Sequence, residues 1–108
     1  MEDIQNKFSV WRKIQYDNKV GFFPIFSDFS KKIPKLSTGA ISLYVFLGLK
    51  SNYKTGTSFY SINKLSIIFD KSPRTISIWI KNLEDNGLIY REQKRKNGVS
   101  VTYLLPYK

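Results

Sequence analysis

The stretch Ser72–Ile89, "SPRTISIWIKNLEDNGLI", is compatible with two secondary structures. Isoleucines at every second position, Ile76, Ile78 and Ile80, are typical of a strand. A helix face with i, i+3, i+4 and i+7 spacing is formed instead by Ile76, Trp79, Ile80 and Leu83. The choice decides the fold, and each structure leaves a different apolar side chain outside the core.

The two ends of this stretch favour a helix. Ser72 is a good N-cap, and Pro73 suits the first helical position, where its missing N–H has no intrahelical partner to lose. Gly87 stands where a helix commonly ends in a left-handed residue. The helix predicted from Pro73 to Asn86 is of ordinary length, whereas a strand of that length is unusual. Its buried stripe leaves Ile78 exposed.

After Gly87 the period changes to two, which predicts a β-hairpin from "LIYREQK" and "VSVTYLL". Asn97-Gly98 between them favours a type I′ turn, because both residues accept positive φ. This turn pairs Lys96 with Val99, Lys94 with Val101 and Tyr90 with Leu105. The side predicted to face the core carries Leu88, Tyr90, Val99, Val101, Tyr103 and Leu105. The opposite side carries Arg91, Gln93 and Arg95.

Two more helices are predicted upstream. Ser37 is the expected cap of "TGAISLYVFLGLK", which is apolar nearly all round and is therefore a buried core helix. Ser61 is the expected cap of a helix over 62–69, and 58–60 is a possible short strand. Residues 70–72 leave only a tight connection between the last two helices.

The N-terminal part has a different pattern, so we divide the chain into an extension over 1–34 and a domain over 35–108. Alternation in "FSVWRKIQY" and "VGFFPIF" around a turn at 17–19 predicts a β-hairpin over 8–26. A short helical turn is expected over 27–33. The hairpin could cover the core, form a dimer edge, or carry basic residues to DNA: Arg12, Lys13 and Lys19.

Composition excludes several classes of site. The 108 residues suit one domain and include no Cys and no His, which removes disulfides, zinc fingers and Cys or His nucleophiles. Acidic residues are scattered and no Gly-rich phosphate loop occurs, so we expect no enzyme, metal, cofactor or small-molecule ligand.

No apolar run reaches the ~20 residues of a membrane span, and no signal peptide is visible, so we expect a cytoplasmic protein. The net charge of +10 favours nucleic acid as a partner.

Residues 61–89, "SINKLSIIFDKSPRTISIWIKNLEDNGLI", resemble the winged helix-turn-helix pattern. The resemblance is carried by Ser72 and Thr75, Leu83-Glu84, and Gly87-Leu88-Ile89. "KLSTGAISLYVFLGLKSN" is similar to the first helix of such domains in plasmid and phage replication proteins, so the likeness covers 35–105. It implies an α+β fold with about three helices and a C-terminal hairpin wing, here with an extra N-terminal β-hairpin.

The resemblance also implies which residues touch DNA. The second helix of the motif enters the major groove with its N-terminal end first. The resemblance assigns Ser72, Arg74 and Thr75 to phosphate or base contact. Ser77, Ile78 and Lys81 are further candidates because they face outward on the predicted helix, as Asn82 also does. Arg74 has the chemistry to bridge guanine O6 and N7, and Ile78 can pack on a thymine methyl. The wing adds Arg91, Lys94, Arg95, Lys96 and Asn97, which can follow phosphates or enter the minor groove.

Two docking modes stay open. In one the helix recognises bases while the wing holds the backbone; in the other the wing and N-terminal bases dominate and Ile78 contacts a protein. The expected function is non-enzymatic, sequence-specific binding of double-stranded DNA as an accessory factor at a mobile-element origin of transfer, replication or partition. Some small relaxosome accessory factors look similar. A transcriptional repressor or a protein–protein interaction module is the alternative.

The expected assembly is a homodimer, with a relaxase or replication protein as a possible larger partner. Many winged regulators dimerise through a helix that follows the wing. No such helix follows the wing here, so the N-terminal hairpin is the expected dimer surface.

Overall fold

The computed structural model describes residues 2–93 and 100–108 of the chain. Its helices are α1 (Glu2–Asp17), α2 (Thr38–Lys50), α3 (Ile62–Phe69) and α4 (Pro73–Asp85), with short 3-10 turns at Ser27–Lys31 and Ile33–Lys35. Strands β1 (Thr57–Ser58), β2 (Ile89–Gln93) and β3 (Ser100–Leu104) form an antiparallel sheet in the order β1-β3-β2. The α+β winged helix-turn-helix fold is therefore confirmed. Among the described residues, no helix combines the length and apolar character needed to cross a membrane.

The three predicted serine caps begin α2, α3 and α4. The hydroxyls of Ser37, Ser61 and Ser72 each accept a hydrogen bond from the backbone N–H three residues later, at 3.0–3.1 Å. Each bond satisfies an N–H that has no partner inside its helix. The predicted starts of all three helices are confirmed.

The stretch that is compatible with two secondary structures forms helix α4. Gly87 follows it with φ +70, the left-handed conformation that favours glycine at a helix end. Ile76 and Leu83 are fully buried and Ile80 nearly so, whereas Ile78 is 57% exposed. The strand-like alternation therefore comes from one apolar residue on the outer face of α4, as predicted.

Helix α2 lies at the centre of the core. Leu43, Tyr44 and Leu47 are buried and pack with residues of α3, α4 and the sheet. The indole of Trp79 occupies the space that a Cβ on Gly39 would take, so the glycine allows α4 to approach α2 closely. The predicted role of α2 as the buried core helix is confirmed.

The predicted N-terminal β-hairpin is wrong, because residues 2–17 form helix α1. No glycine or proline interrupts this segment, and Ile4, Phe8 and Trp11 also have the i, i+4 and i+7 spacing of a helix. A helix makes its backbone hydrogen bonds locally and needs no partner strand. The expected turn does occur, but it ends the helix: Lys19 has φ 56, and the Val20 N–H donates to the Gln15 carbonyl. Residues 20–26 follow without regular secondary structure and lie outside the sheet.

The 3-10 turns agree only in part with the helical turn predicted over 27–33. Pro34 was expected to end that turn, yet it lies inside the second 3-10 segment, Ile33–Lys35. The first position or two of a helical turn tolerate proline, because those N–H groups have no partner within the turn.

The predicted wing register is displaced by two residues. Tyr90 pairs with Tyr103 rather than Leu105, and Ile89 pairs with Leu104. Leu88 belongs to the turn that leaves α4, since its N–H donates to the Leu83 carbonyl. The predicted alternation starts at Leu88, which lies in the turn and not in the strand. The predicted inner and outer faces of β2 are therefore exchanged at its start: Ile89 is buried, and Tyr90 is half exposed. The expected Asn97-Gly98 turn and Val99 lie outside the described residues.

Candidate nucleic-acid interface

The outer face of α4 carries a row of side chains one helical turn apart. Arg74, Ile78, Lys81 and Asp85 follow i, i+4, i+7 and i+11 spacing, which places them in line. All four are exposed, and Ser77 is exposed beside them. The buried stripe of α4 fixes the direction of this row, because rotating the helix would expose Ile76 and Leu83. The row therefore places the apolar side chain of Ile78 between two cations, Arg74 and Lys81.

Lys81 has a partner on its own helix. Its Nζ lies 3.7 Å from a carboxylate oxygen of Asp85, and both side chains are more than half exposed. Exposed i,i+4 pairs of this kind contribute about 0.3–0.5 kcal/mol and are screened by salt. Lys81 can therefore exchange this carboxylate for a phosphate at little cost.

The start of α4 uses two of the predicted contact residues for its own cap. The Ser72 hydroxyl accepts from the Thr75 N–H and also lies 3.0 Å from the Thr75 hydroxyl. Lys71, which immediately precedes the cap, is exposed and adds a cation at this end of the helix. The predicted contacts do not include Lys71, although the sequence places it directly before the cap residue Ser72. Cations beside a helix N-terminus suit an anionic partner.

Asn82 was expected to face outward, but it links α4 to the segment before α2. Its Oδ1 accepts from the Ser37 N–H at 2.8 Å, and its Nδ2 donates to the Lys35 carbonyl at 3.3 Å. The exposed residue Lys35 is thereby brought beside α4. This contact spans 47 residues, so no local pattern indicated it.

Arg91 was predicted as a wing contact, and the structure directs it inward. Its Nη1 donates to the Thr102 hydroxyl at 2.7 Å and its Nη2 to the Tyr60 carbonyl at 2.6 Å. Burial lowers the pKa of Arg91, and the charge of Glu84 acts in the opposite direction. Arginine stays protonated in proteins, so the fold holds this cation between the wing and the segment that leads into α3.

The wing presents a tyrosine pair on its outer face. The rings of Tyr90 and Tyr103 stack with centroids 5.9 Å apart, and both hydroxyls lie 3.2 Å from Glu92 carboxylate oxygens, to which they donate. The acid of β2 is therefore engaged by neighbouring tyrosines. The remaining predicted wing contacts lie outside the described residues: Lys94, Arg95, Lys96 and Asn97.

The predicted N-terminal contacts lie on or just after α1. The Arg12 guanidinium sits 5.5 Å from the centre of the Phe8 ring, and Lys13 and Lys19 are exposed. Arg12 and Lys19 line grooves that also include Leu49, near the C-terminal end of α2. Asn82 holds the opposite end of α2, about 20 Å away along a 13-residue helix. The fold therefore separates these cations from the α4 row.

Comparison with known proteins agrees with this geometry. The model of a helix-turn-helix domain family matches residues 34–89, which is 56 of the 108 residues and includes all of α2, α3 and α4. The chain belongs to this helix-turn-helix domain family. No curated protein and no solved structure gives a significant match.

Proposed function

We propose that the protein binds double-stranded DNA sequence-specifically by placing α4 in the major groove. The observation that carries this proposal is the exposed row on α4, with Arg74 and Lys81 on either side of Ile78. Arginine can donate two hydrogen bonds to a guanine edge, and an apolar side chain can pack on a thymine methyl. Family membership supports DNA as the partner.

The wing is proposed to hold the DNA backbone while α4 recognises bases. Gln93 pairs with Ser100, and the sequence between them contains three cations, Lys94, Arg95 and Lys96. Arg91 is left out of this contact set because its guanidinium already bonds Thr102 and Tyr60. In the competing mode the wing dominates and Ile78 contacts a protein.

The proposed role is that of an accessory factor at a mobile-element origin of transfer, replication or partition. Support comes from the sequence resemblance over 35–105, and a composition without Cys or His agrees with action by occupancy of a DNA site. Such a protein would be non-enzymatic, cytoplasmic and free of cofactors. A transcriptional repressor is the alternative role on DNA.

The working form is proposed to be a homodimer, with a relaxase or replication protein as a further partner. Dimers of this fold class bind two half-sites one helical turn, about 34–36 Å, apart. A footprint over the DNA beside the coding region should then protect repeats at that spacing. Repeats at a nick site, a replication origin or a promoter would identify the process served.

Salt titration of duplex binding tests the proposal directly. Four to six phosphate contacts per subunit should give a slope of log K against log salt of about −4 to −5 for one bound subunit, and about twice that slope for the proposed dimer. Replacing Arg74 and Ser77 together by Ala should relax base preference, whereas Arg95→Ala with Lys96→Ala should weaken binding to all sequences. Absence of duplex binding at low salt would contradict the proposal.

An interaction module is the second candidate, and the exposure of Ile78 favours it. An apolar side chain in the middle of an exposed helix face suits a protein groove as well as a thymine methyl. The double variants distinguish the two candidates. If replacing Arg74 and Ser77 leaves DNA binding unchanged while replacing Arg95 and Lys96 abolishes specific binding, a protein contact for α4 is favoured.

A further inference from the structure

Helix α1 exposes an apolar stripe that no described part of the chain covers. The stripe consists of Ile4, Phe8, Trp11 and Ile14, which are 68%, 53%, 56% and 49% exposed. These residues follow i, i+4, i+7 and i+10 spacing, so they lie on one side of the helix. Within the stripe the rings of Phe8 and Trp11 are 5.9 Å apart. A helix of this length is marginal alone in water and is usually stabilised by packing of its apolar face.

The stripe continues into a groove at the C-terminal half of α1. This α1 groove has a volume of about 550 Å³ and is lined by Trp11, Gln15, Tyr16, Val20, Phe22 and Leu49, among others. Val20, Phe22 and Leu49 are each about half exposed. Trp11 belongs to both the stripe and the groove. The N-terminal half of the stripe, Ile4 and Phe8, lies outside this groove.

The charge of α1 argues against a membrane as the partner of this surface. Lys7, Arg12 and Lys13 balance the three acids of residues 2–17, so the helix is neutral. Peripheral membrane helices usually carry an excess of Lys and Arg, which attracts anionic lipids. The same neutrality removes the electrostatic drive toward DNA that the rest of the +10 chain has.

The order of charges along α1 suits a second α1 running the other way. Asp3 lies in the first turn and is followed by Lys7, whereas the C-terminal half carries Arg12 and Lys13 before Asp17, and Lys19 comes just after the helix. Antiparallel packing puts the net negative N-terminal half of one helix beside the net positive C-terminal half of the other. Parallel packing would put like charges side by side and would bring two strongly basic domains to the same end.

We propose that a second copy of the chain covers this surface, with the two α1 helices antiparallel. Ile4 and Phe8 of each copy then lie against the C-terminal half of the partner's α1, where the α1 groove receives them. Each copy contributes the same surface to this contact, so one two-fold axis relates the two chains. The assembly is then closed at a dimer and does not extend into a filament. The two α4 helices stay free, because α1 meets its own domain near the end of α2 that is remote from Asn82.

This inference deepens the dimer included in the proposed function, and its tests contain no DNA. A negative result would remove the α1 contact while leaving DNA binding by the chain untouched. A positive result would stand even if the chain failed to bind any duplex.

Sedimentation of paired variants tests the surface. Phe8→Glu places a charge inside the stripe and should weaken self-association about 100-fold. Ser9→Glu makes the same change at an exposed position on the opposite side of α1 and should leave the dimer intact. Thermal unfolding measured at a dilution where every variant is monomeric should be unchanged, since the Phe8 ring is half exposed and outside the core. Equal effects of the two substitutions, or a monomeric wild type at about 100 µM, would overturn the proposal.

Introduced cysteines test the direction of the helices, and the chain has no native cysteine to interfere. Residues 4 and 15 are about 16 Å apart along one helix, whereas a disulfide requires Cα atoms about 6 Å apart. Mixing Ile4→Cys chains with Gln15→Cys chains should give a disulfide-linked dimer under mild oxidation, and neither variant alone should give one. Cross-linking in the single-variant samples, or none in the mixture, would overturn the antiparallel arrangement.

Discussion

Arg91 shows how a cation on a basic hairpin can serve the fold rather than a ligand. Its two hydrogen bonds join β2 to Thr102 of β3 and to the Tyr60 carbonyl, just before the cap of α3. The guanidinium therefore sets the position of the wing relative to the helix-turn-helix. Hydrogen bonds to charged groups contribute about 1.5–3 kcal/mol, more than neutral ones.

Replacing Arg91 by Met should lower the free energy of unfolding by about 2 kcal/mol, because the Tyr60 carbonyl and the Thr102 hydroxyl lose a charged donor. Arg74→Met is the matched control, since Arg74 is exposed and belongs to the α4 row. Urea unfolding measures both. Equal stability of the two variants would show that the Arg91 bonds contribute nothing net.

Residue type and spacing in the sequence do not show that Arg91 bonds within the fold whereas Arg74 is exposed. Charge density marked Arg91 as a wing contact, but its partner carbonyl lies 31 residues away in the chain. Asn82 presents the same difficulty, with partners at Lys35 and Ser37. Side chains that bond across long loops carry no local signature, so candidate site residues are predictable only where the outer face of an element is known.

At the scale of elements, α4 combines a cap that stabilises it with an outer face that is free. Ser72 supplies the cap, and the same hydroxyl stands at the end of the helix expected to meet phosphates. Serine and aspartate are about equally good N-caps, and a negative charge at this position also favours the helix dipole. Stability and DNA binding can therefore be separated at this one position.

Ser72→Asp should preserve the free energy of unfolding and weaken duplex binding about tenfold or more, because a carboxylate would face phosphate. Ser61→Asp makes the same charge change at the cap of α3 and serves as the control. Fluorescence anisotropy with a labelled duplex gives the affinities, and urea unfolding gives the stabilities. Equal losses of affinity would mean that only net charge matters and that the start of α4 does not touch DNA.

Elements bounded by explicit signals were predictable from the sequence. Ser37, Ser61 and Ser72 mark the starts of three helices, and Gly87 marks an end. The segment that became α1 carries no cap signal, and its apolar residues fit both periods. Tertiary contacts usually determine whether a segment with both periods forms a helix or a strand, and α1 has few contacts with the rest of the chain. The periodicity of the sequence alone therefore could not distinguish a helix from a strand here.

At the scale of the whole molecule, an aromatic cluster joins the segment before α2 to the C-terminal residues. The buried Tyr44 ring of α2 stacks on Phe29 at 4.9 Å, and Tyr107 meets Phe29 edge-on at 5.7 Å. The Tyr107 hydroxyl also accepts from the Phe26 N–H at 2.9 Å. Burial raises the pKa of Tyr44, and the charge of and hydrogen bond with Tyr107 raise it further.

This pKa shift predicts loss of stability at alkaline pH. Tyrosine in the unfolded chain ionises near pH 10, while Tyr44 in the folded chain keeps its proton. The stabilisation is therefore complete below pH about 10 and should fall by up to about 1.4 kcal/mol per pH unit above it. Tyr44→Phe should reduce this slope, and Tyr53→Phe, at an 86% exposed position, should keep it. Urea unfolding between neutral pH and pH 11 measures the slopes, and an unchanged slope in Tyr44→Phe would contradict the assignment.

The bonds from Asn82 to Lys35 and Ser37 have a consequence for the proposed sequence-specific binding of DNA. They anchor the outer edge of α4 to the start of α2, while Ile76 and Leu83 anchor its inner edge, so the helix is held on two sides. A helix held in this way cannot roll or slide to suit a poorly matched groove. Adaptation must then come from the duplex, and we expect flexible pyrimidine–purine steps to be favoured at positions that no side chain touches.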